Sequence, residues 1–332
     1  MIETNRQEDA DEQLDITLRP KTLQDYVGQD IIKRNLHILM GAAKKRKESL
    51  DHILLFGPPG LGKTTLAHII SREMQTGIKT TSGPAIERVG DLGSILTNLN
   101  DGDILFVDEI HRLSKVVEEV LYPAMEDGKL DIIVGKGPSA RTIQLELPKF
   151  TLIGATTRLG MLSAPLRNRF GIINKLEFYS DKEMCKIIER NSKILGVTTD
   201  LAGRNSIAKC ARRTPRIVNR LLKRVRDYAQ MNDHELISKD TVSATFEILD
   251  VDHLGLESAD REVLDIIITK FAGGPVGVQT IAAAFSEDVQ TIEEVYEPFL
   301  MQLGFIERTS RGRRVTDAAY KHLGFEIPED RV

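Results

Sequence analysis

An α/β fold is predicted, in which a parallel-sheet core is followed by a small helical domain and then by a C-terminal winged helix. Three observations predict it. Three short apolar runs, HILLF (52–56), DILFV (103–107) and FTLIGAT (150–156), alternate with helical patterns. Continuous apolar strands between helices belong to a parallel sheet covered on both faces. Residues 181–250 hold no strand-like run, and DKEMCKIIERNSKIL and PRIVNRLLKRVRDYAQM carry apolar residues at spacings of three and four. Beyond residue 255, three helical patterns (DREVLDIIITKF, GVQTIAAAF, TIEEVYEPFLMQLGF) precede GFIERTSRGRRVTDAAY, read as a hairpin with an Arg-rich turn. Helices followed by such a wing form a common DNA-binding scaffold.

The expected organisation is therefore a disordered lead (1–17), a large sheet domain (18–180), a helical lid (181–253) and a winged-helix head (254–332). The 332 residues suffice for two or three domains, with 41% hydrophobic and 28% charged residues as in a soluble globular chain. No run approaches the roughly 18 apolar residues of a membrane span, so no membrane role is expected. The polar, acidic N-terminus lacks the pattern of a secretory signal, and a cytoplasmic location is expected. Cys185 and Cys210 show no metal-ligand spacing and read as packing residues. Net charge is −4, yet its distribution is uneven. The helical segment is basic, while the acidic last segment concentrates Arg308, Arg311, Arg313 and Arg314 near its turn.

Chemistry enters at GPPGLGKTT (57–65), which satisfies GxxxxGK[ST] between a strand and a helix. That is the context of a P-loop. Gly60 and Gly62 let backbone N–H groups close round phosphates at a helix N-terminus, where the dipole favours anions. Lys63 is expected on the β/γ-phosphates, Thr64 on Mg²⁺, and Thr65 beside them. DILFVDE (103–109) sets two carboxylates at a strand end: Asp108 for Mg²⁺ and Glu109 to polarise the attacking water. His111 reads as structural. GATTR (154–158) ends the next strand, so Thr157 or Thr156 is placed to bond the γ-phosphate or the water. In LRNRF (166–170), Arg169 is the candidate to neutralise charge on the transferred phosphoryl group.

P-loop, acidic pair, polar strand end, arginine and helical lid, in this order, resemble the AAA+ ATPases. LRPKTLQDYVGQ (18–29), TSGPAIE, LFVDEIHRLS, YPAMED (122–127), GKGPSARTI, TPRIVNRLLKRVRD and GFIERTSRGR (304–313) narrow the resemblance to the RuvB family. It extends from about residue 14 to 324. The resemblance implies an ATP-driven motor for branch migration of Holliday junctions in recombination and repair, working as a homohexameric ring with RuvA and with RuvC. By position it places Leu18, Arg19, Tyr26 and Val27 round the adenine and Tyr179 at the domain hinge. It puts Glu126 and Asp127 at the nucleotide, makes Arg169 a finger acting in trans, and makes Arg216 a lid arginine acting in cis. One departure is visible: the family carries Gly before its TPR, where this chain has Arg213, which bears on the turn before Arg216.

LDIIVGKGPSARTIQLEL (130–147) alternates on both sides of a GKGP turn, as in a two-stranded hairpin. Pattern alone leaves decoration and contact surface equally open. The resemblance makes the hairpin the RuvA-binding arm, with Ile132, Ile133, Val134 and Ile143 as contacts. The wing arginines are expected to hold duplex DNA by its phosphates, without sequence readout. Rival readings are a clamp-loader ATPase, which calls for a collar domain, an ATP-switched DNA-binding protein, which needs no Glu109, and a protein unfoldase, which calls for an aromatic pore loop.

Overall fold

The computed structural model describes residues 16–134 and 141–328, and the chain separates into two compact units, Met1–Tyr179 and Ser180–Val332. The lead expected over 1–17 lies outside the described residues up to residue 15. Residues 16–18 already form a helical turn, with Leu18 buried.

In the first unit a parallel sheet runs in the order β2-β3-β6-β1-β7. Its strands are β1 (Ile53–Phe56), β2 (Ile78–Ser82), β3 (Ile104–Asp108), β6 (Thr151–Thr156) and β7 (Ile172–Lys175). The predicted runs became the three central strands, and all six residues of β6 are buried. The edge strands β2 (IKTTS) and β7 (IINK) went unread. An edge strand is covered less completely, so it carries no continuous apolar run. Helices α1 (Asp30–Arg46), α2 (Lys63–Met74), α3 (Val89–Thr97) and α4 (Lys115–Glu126) belong to this unit, and short α5 (Ala164–Asn168) leads into β7. Leu54, Leu92, Leu105, Val117, Leu121 and Leu152 lie in one apolar core. The predicted hairpin is present as β4 (Lys129–Val134) antiparallel to β5 (Arg141–Glu146), with Ile132 opposite Ile143. Its GKGP turn lies outside the described residues.

Register fixes the site. β1 lies between β6 and β7, with Phe56 opposite both Thr156 and Lys175, while Val107 of β3 faces Gly154 of β6. Because the strands are parallel, the P-loop, the acidic pair and GATTR all emerge at the carboxyl edge of adjacent strands, where α/β sheets bind ligands.

The second unit opens with α6 (Asp181–Ile194), capped by a reciprocal Ser180–Glu183 box, followed by α7 (Leu201–Cys210), α8 (Pro215–Met231) and α9 (Lys239–Ile248). Contrary to the strand-free expectation, Thr198–Thr199 and Leu236–Ile237 pair as two-residue strands β8 and β9. They are too short to leave a periodic signal. The winged helix follows: α10 (Ser258–Phe271), α11 (Val278–Phe285), a helical run 289–302 containing a π-turn at Ile292–Tyr296, β10 (Ile306–Thr309), β11 (Gly312–Val315) and α12 (Asp317–Leu323). The hairpin read through to DAAY stops at Val315 instead. Its last part is the start of α12, where Ala319 and Tyr320 turn into the core.

Candidate nucleotide site

The P-loop is shaped by glycines at two tight approaches. Gly57 has φ +146°, and a Cβ there would lie 2.5 Å from the Leu176 carbonyl oxygen. Gly62 caps α2 at φ +95°, where a Cβ would stand 2.8 Å from the Tyr26 hydroxyl. Lys63 begins α2 and is buried. Its Nζ donates to the carbonyls of Gly57 at 2.7 Å and Pro58 at 3.0 Å. Burial lowers the Lys63 pKa, with Asp108 and Glu109 opposing that fall. Thr64 and Thr65 follow in the first helical turn, half-buried. The cradle a side chain would fill, and the N–H groups of the first turn, fit a phosphate chain.

Asp108 closes β3 and accepts the Glu109 N–H on Oδ1 at 2.9 Å. Glu109 itself adopts φ +49°, a left-handed conformation that costs a non-glycine residue about 1–2 kcal/mol. Strain of this kind collects where function over-determines the backbone. The 3-10 turn Ile110–Arg112 then brings His111, buried, back over β6. His111 Nδ1 lies 2.8 Å from Thr156 Oγ1 and 3.3 Å from Glu109 Oε2.

The two threonines of GATTR are distinguished by their partners. Thr156 is fully buried and accepts the Arg158 N–H at 2.9 Å besides meeting His111. The Thr157 hydroxyl is buried with no hydrogen-bond partner. An orphaned hydroxyl costs about 1–3 kcal/mol, and at this strand end it suits a phosphate oxygen or a water. The donors and carboxylates at this edge also fit Mg²⁺, with Thr64 and Asp108 as its candidate ligands.

Of the residues assigned to the adenine wall, Tyr26 falls beside the loop. The hydroxyls of Tyr26 and Tyr179, both buried, donate to the Leu61 carbonyl at 3.1 and 3.3 Å. Burial, then Tyr179, pushes the Tyr26 pKa well up. Val27 is half-buried and Arg19 exposed near His68, whose pKa falls through burial and then through Arg19. Gln29 bonds the Glu177 carbonyl at 2.7 Å and fastens the segment before α1 to the chain after β7. Spacing in the sequence could not have paired residues so far apart.

Arg169, Glu126 and Asp127 are not brought to this P-loop. They line a cleft with His52, Lys149 and Gly171, at the amino edge of the strands. The cause is α5, which returns the chain across the sheet so that β7 can start beside His52, whose carbonyl accepts the Ile172 N–H. There Arg169 lies 4.6 Å over the Tyr122 ring, bonds the Pro165 carbonyl at 2.9 Å and pairs with Glu126 at 3.2 Å. A role for these residues at a nucleotide therefore requires the nucleotide of a neighbouring chain.

In the second unit Arg216 is exposed on the first turn of α8. Arg213, in place of glycine, takes φ +52°, and Arg212 takes φ +50°. The turn survives because Arg212 is pinned, at 2.6 Å to the buried Asp260, at 3.0 Å to Glu257, and 4.5 Å over the Phe299 ring. The wing arginines separate into distinct environments. Arg313 is largely buried and bonds Glu297 at 3.0 Å and Glu293 at 3.1 Å, while Arg308 reaches Glu297 at 2.6 Å. Arg314 pairs with Glu307 at 2.5 Å. Arg311 sits exposed at the hairpin tip and forms no ion pair among the described residues. Ile143 of the hairpin is 47% exposed, as a contact residue would be.

Three family models tile the chain. The Holliday junction DNA helicase RuvB P-loop domain matches residues 18–176, the RuvB AAA lid domain 179–252, and the RuvB C-terminal winged helix domain 253–324. A curated relative, the Holliday junction branch migration complex subunit RuvB of Dehalococcoides mccartyi (strain CBDB1), is 59% identical over 321 residues, covering 97% of this chain and 92% of its own. The solved Thermotoga maritima RuvB Holliday junction branch migration motor superposes with TM-score 0.87 at 50% identity, over 94% of this chain and 100% of that one. A point mutant from the same organism gives TM-score 0.88 at 50% identity, over 93% and 100%.

Proposed function

The chain belongs to the RuvB family of P-loop AAA+ ATPases, and from that premise we propose that it is the ATP-hydrolysing motor subunit that drives branch migration of Holliday junctions. The observation that carries the reading is the convergence of Lys63, the Asp108–Glu109 pair and the unpartnered Thr157 hydroxyl at one sheet edge. Lys63 and the P-loop N–H groups hold the phosphates, Glu109 orients and polarises the attacking water, and Thr157 bonds the γ-phosphate or that water. Thr64 and Asp108 would hold Mg²⁺, which would supply charge neutralisation on the phosphates.

Arg169 acts on the next subunit's nucleotide. This is supported by its place at the strand edge opposite its own P-loop. Hydrolysis is then tied to ring assembly, for which a homohexamer is proposed. Arg216 serves as the lid arginine. Duplex DNA is gripped at its phosphates by the wing, RuvA docks on the β4–β5 hairpin, RuvC joins the assembly, and the work is done in a bacterial cytoplasm. The test is ATP hydrolysis with and without duplex DNA and RuvA, followed by branch migration of a synthetic four-way junction. Stimulation by both and junction movement are expected, whereas ATP hydrolysis indifferent to DNA and RuvA, with a static junction, refutes the proposal.

A further inference from the structure

His111 is a buried histidine for which nucleotide hydrolysis, as described above, has no use. It stands between Glu109 and the last residue of β6, with Nδ1 3.3 Å from Glu109 Oε2 and 2.8 Å from Thr156 Oγ1. We propose that His111 is a positioning residue for Glu109, its Nδ1–H shared between the Glu109 carboxylate and the Thr156 hydroxyl so that Glu109 can be held or released without stranding a buried donor. The inference rests on Glu109 as the water-polarising carboxylate.

Hydrogen-bond bookkeeping selects the form of the ring. Were Nδ1 unprotonated, Thr156 could donate to it, but the ionised Glu109 oxygen would then face a lone pair at 3.3 Å. With a proton on Nδ1, both oxygens accept, and the Arg158 N–H at 2.9 Å, the second donor to Thr156, occupies its other lone pair. When Glu109 swings toward a water, the Nδ1–H passes wholly to Thr156. Leaving the buried Nδ1–H unsatisfied would cost about 1–3 kcal/mol, and for that donor the shared arrangement avoids the cost. Because Thr156 is the last residue of β6 and the amide of Arg158 hangs on it, movement of the segment after GATTR reaches Glu109 through this ring.

The experiment uses the full chain, with DNA-stimulated ATP turnover, affinity for a fluorescent nucleotide and the thermal midpoint measured on each variant. His111→Leu is expected to lower kcat on the order of tenfold with nucleotide affinity changed less than about twofold, the pattern of an interaction used in the transition state. His111→Asn, whose Nδ2–H falls near the place of Nδ1, should recover most of that loss, while His111→Gln, which extends past it, should not. Wild-type turnover in His111→Leu overturns the proposal, as does equal loss in the Asn and Gln variants at unchanged thermal midpoint. Should His111→Leu fail to fold, the Asn and Gln pair decides alone. Glu109→Gln separates the two claims: if it hydrolyses ATP normally, the role of Glu109 fails; if it is inactive while His111→Leu is normal, only the role of His111 fails.

Discussion

Lys63 and Glu109 are both charged and close together, yet they make different demands on the reaction. In the proposed mechanism Lys63 meets phosphates that are present in ground and transition states alike, whereas Glu109 acts on a water that matters only as the bond breaks. Lys63→Ala is therefore expected to lose nucleotide binding, and Glu109→Gln to keep binding and trap ATP. Equilibrium binding and single-turnover hydrolysis check this, and equal loss of affinity in both variants contradicts the division. Thr157→Val should lower kcat by about 10²-fold, the scale of one lost transition-state donor, and should not weaken folding, since the hydroxyl it removes has no partner. Thr156→Val should cost stability as well, because it strips partners from His111 and the Arg158 amide. Thermal midpoints of the two valine variants distinguish them. Sequence reasoning left the two threonines as alternatives, since adjacent identical side chains differ only in which way the strand end turns them.

The wing shows what an element imposes on residues that look alike in sequence. Four arginines read as one DNA-binding group, but Glu297, 1% exposed, claims two of them. Burial raises the Glu297 pKa, and the hydrogen bonds of Arg308 and Arg313 more than reverse it, leaving the carboxyl below its ordinary value. Arg313→Ala strips that buried carboxylate of its better-covered partner while Arg308 remains, and should cost about 1.5–3 kcal/mol, visible as a lower thermal midpoint. Arg311→Ala should leave the midpoint alone and weaken binding equally on unrelated duplexes. Its salt dependence should flatten by roughly one unit of log–log slope. Sequence-dependent loss in Arg311→Ala contradicts phosphate gripping. A pH test follows from the same pair. The folded pKa of Glu297 lies below the unfolded one, so its stabilisation is present above about 4.5, the ordinary value, and fades as pH falls through the folded value. Acid titration of the thermal midpoint should therefore be shallower in Glu297→Gln than in the wild type.

At the scale of the whole molecule the decisive question is where Arg169 works. In the single chain its guanidinium rests on Tyr122 and on Glu126, a carboxylate whose side chain is 55% exposed. A cation–π contact is worth about 0.5–2 kcal/mol and an exposed ion pair about 0–1 kcal/mol. An arginine finger contributes 10³-fold or more, which converts to about 4 kcal/mol, so release from this resting place is affordable on assembly. Arg169→Ala should leave nucleotide affinity nearly intact and lower kcat by about 10³-fold. An assembled ring with Arg169 far from every neighbouring nucleotide would falsify the assignment.

The P-loop, the acidic pair and GATTR were legible in the sequence because each is contiguous and sits where an apolar strand stops. A parallel sheet needs no further instruction to bring such strand ends to one edge. The winged helix was legible from periodicity, apart from the start of α12, where a helix opening directly after a strand shows only one turn of pattern. What tertiary structure alone decided is everything that depends on side chains far apart in the chain. Tyr26 meets Tyr179 on the Leu61 carbonyl, Arg212 leans on Asp260 to hold a left-handed turn without glycine, and His111 turns back to join Glu109 to Thr156. Sequence also places Arg169 just after the strand that ends at the site, whereas in space α5 carries it to the other edge of the sheet. Periodicity and motifs report local preference and burial, and they carry no information on the direction in which a short connection returns. That direction is set by the register of β7 against β1, which exists only once the sheet has formed.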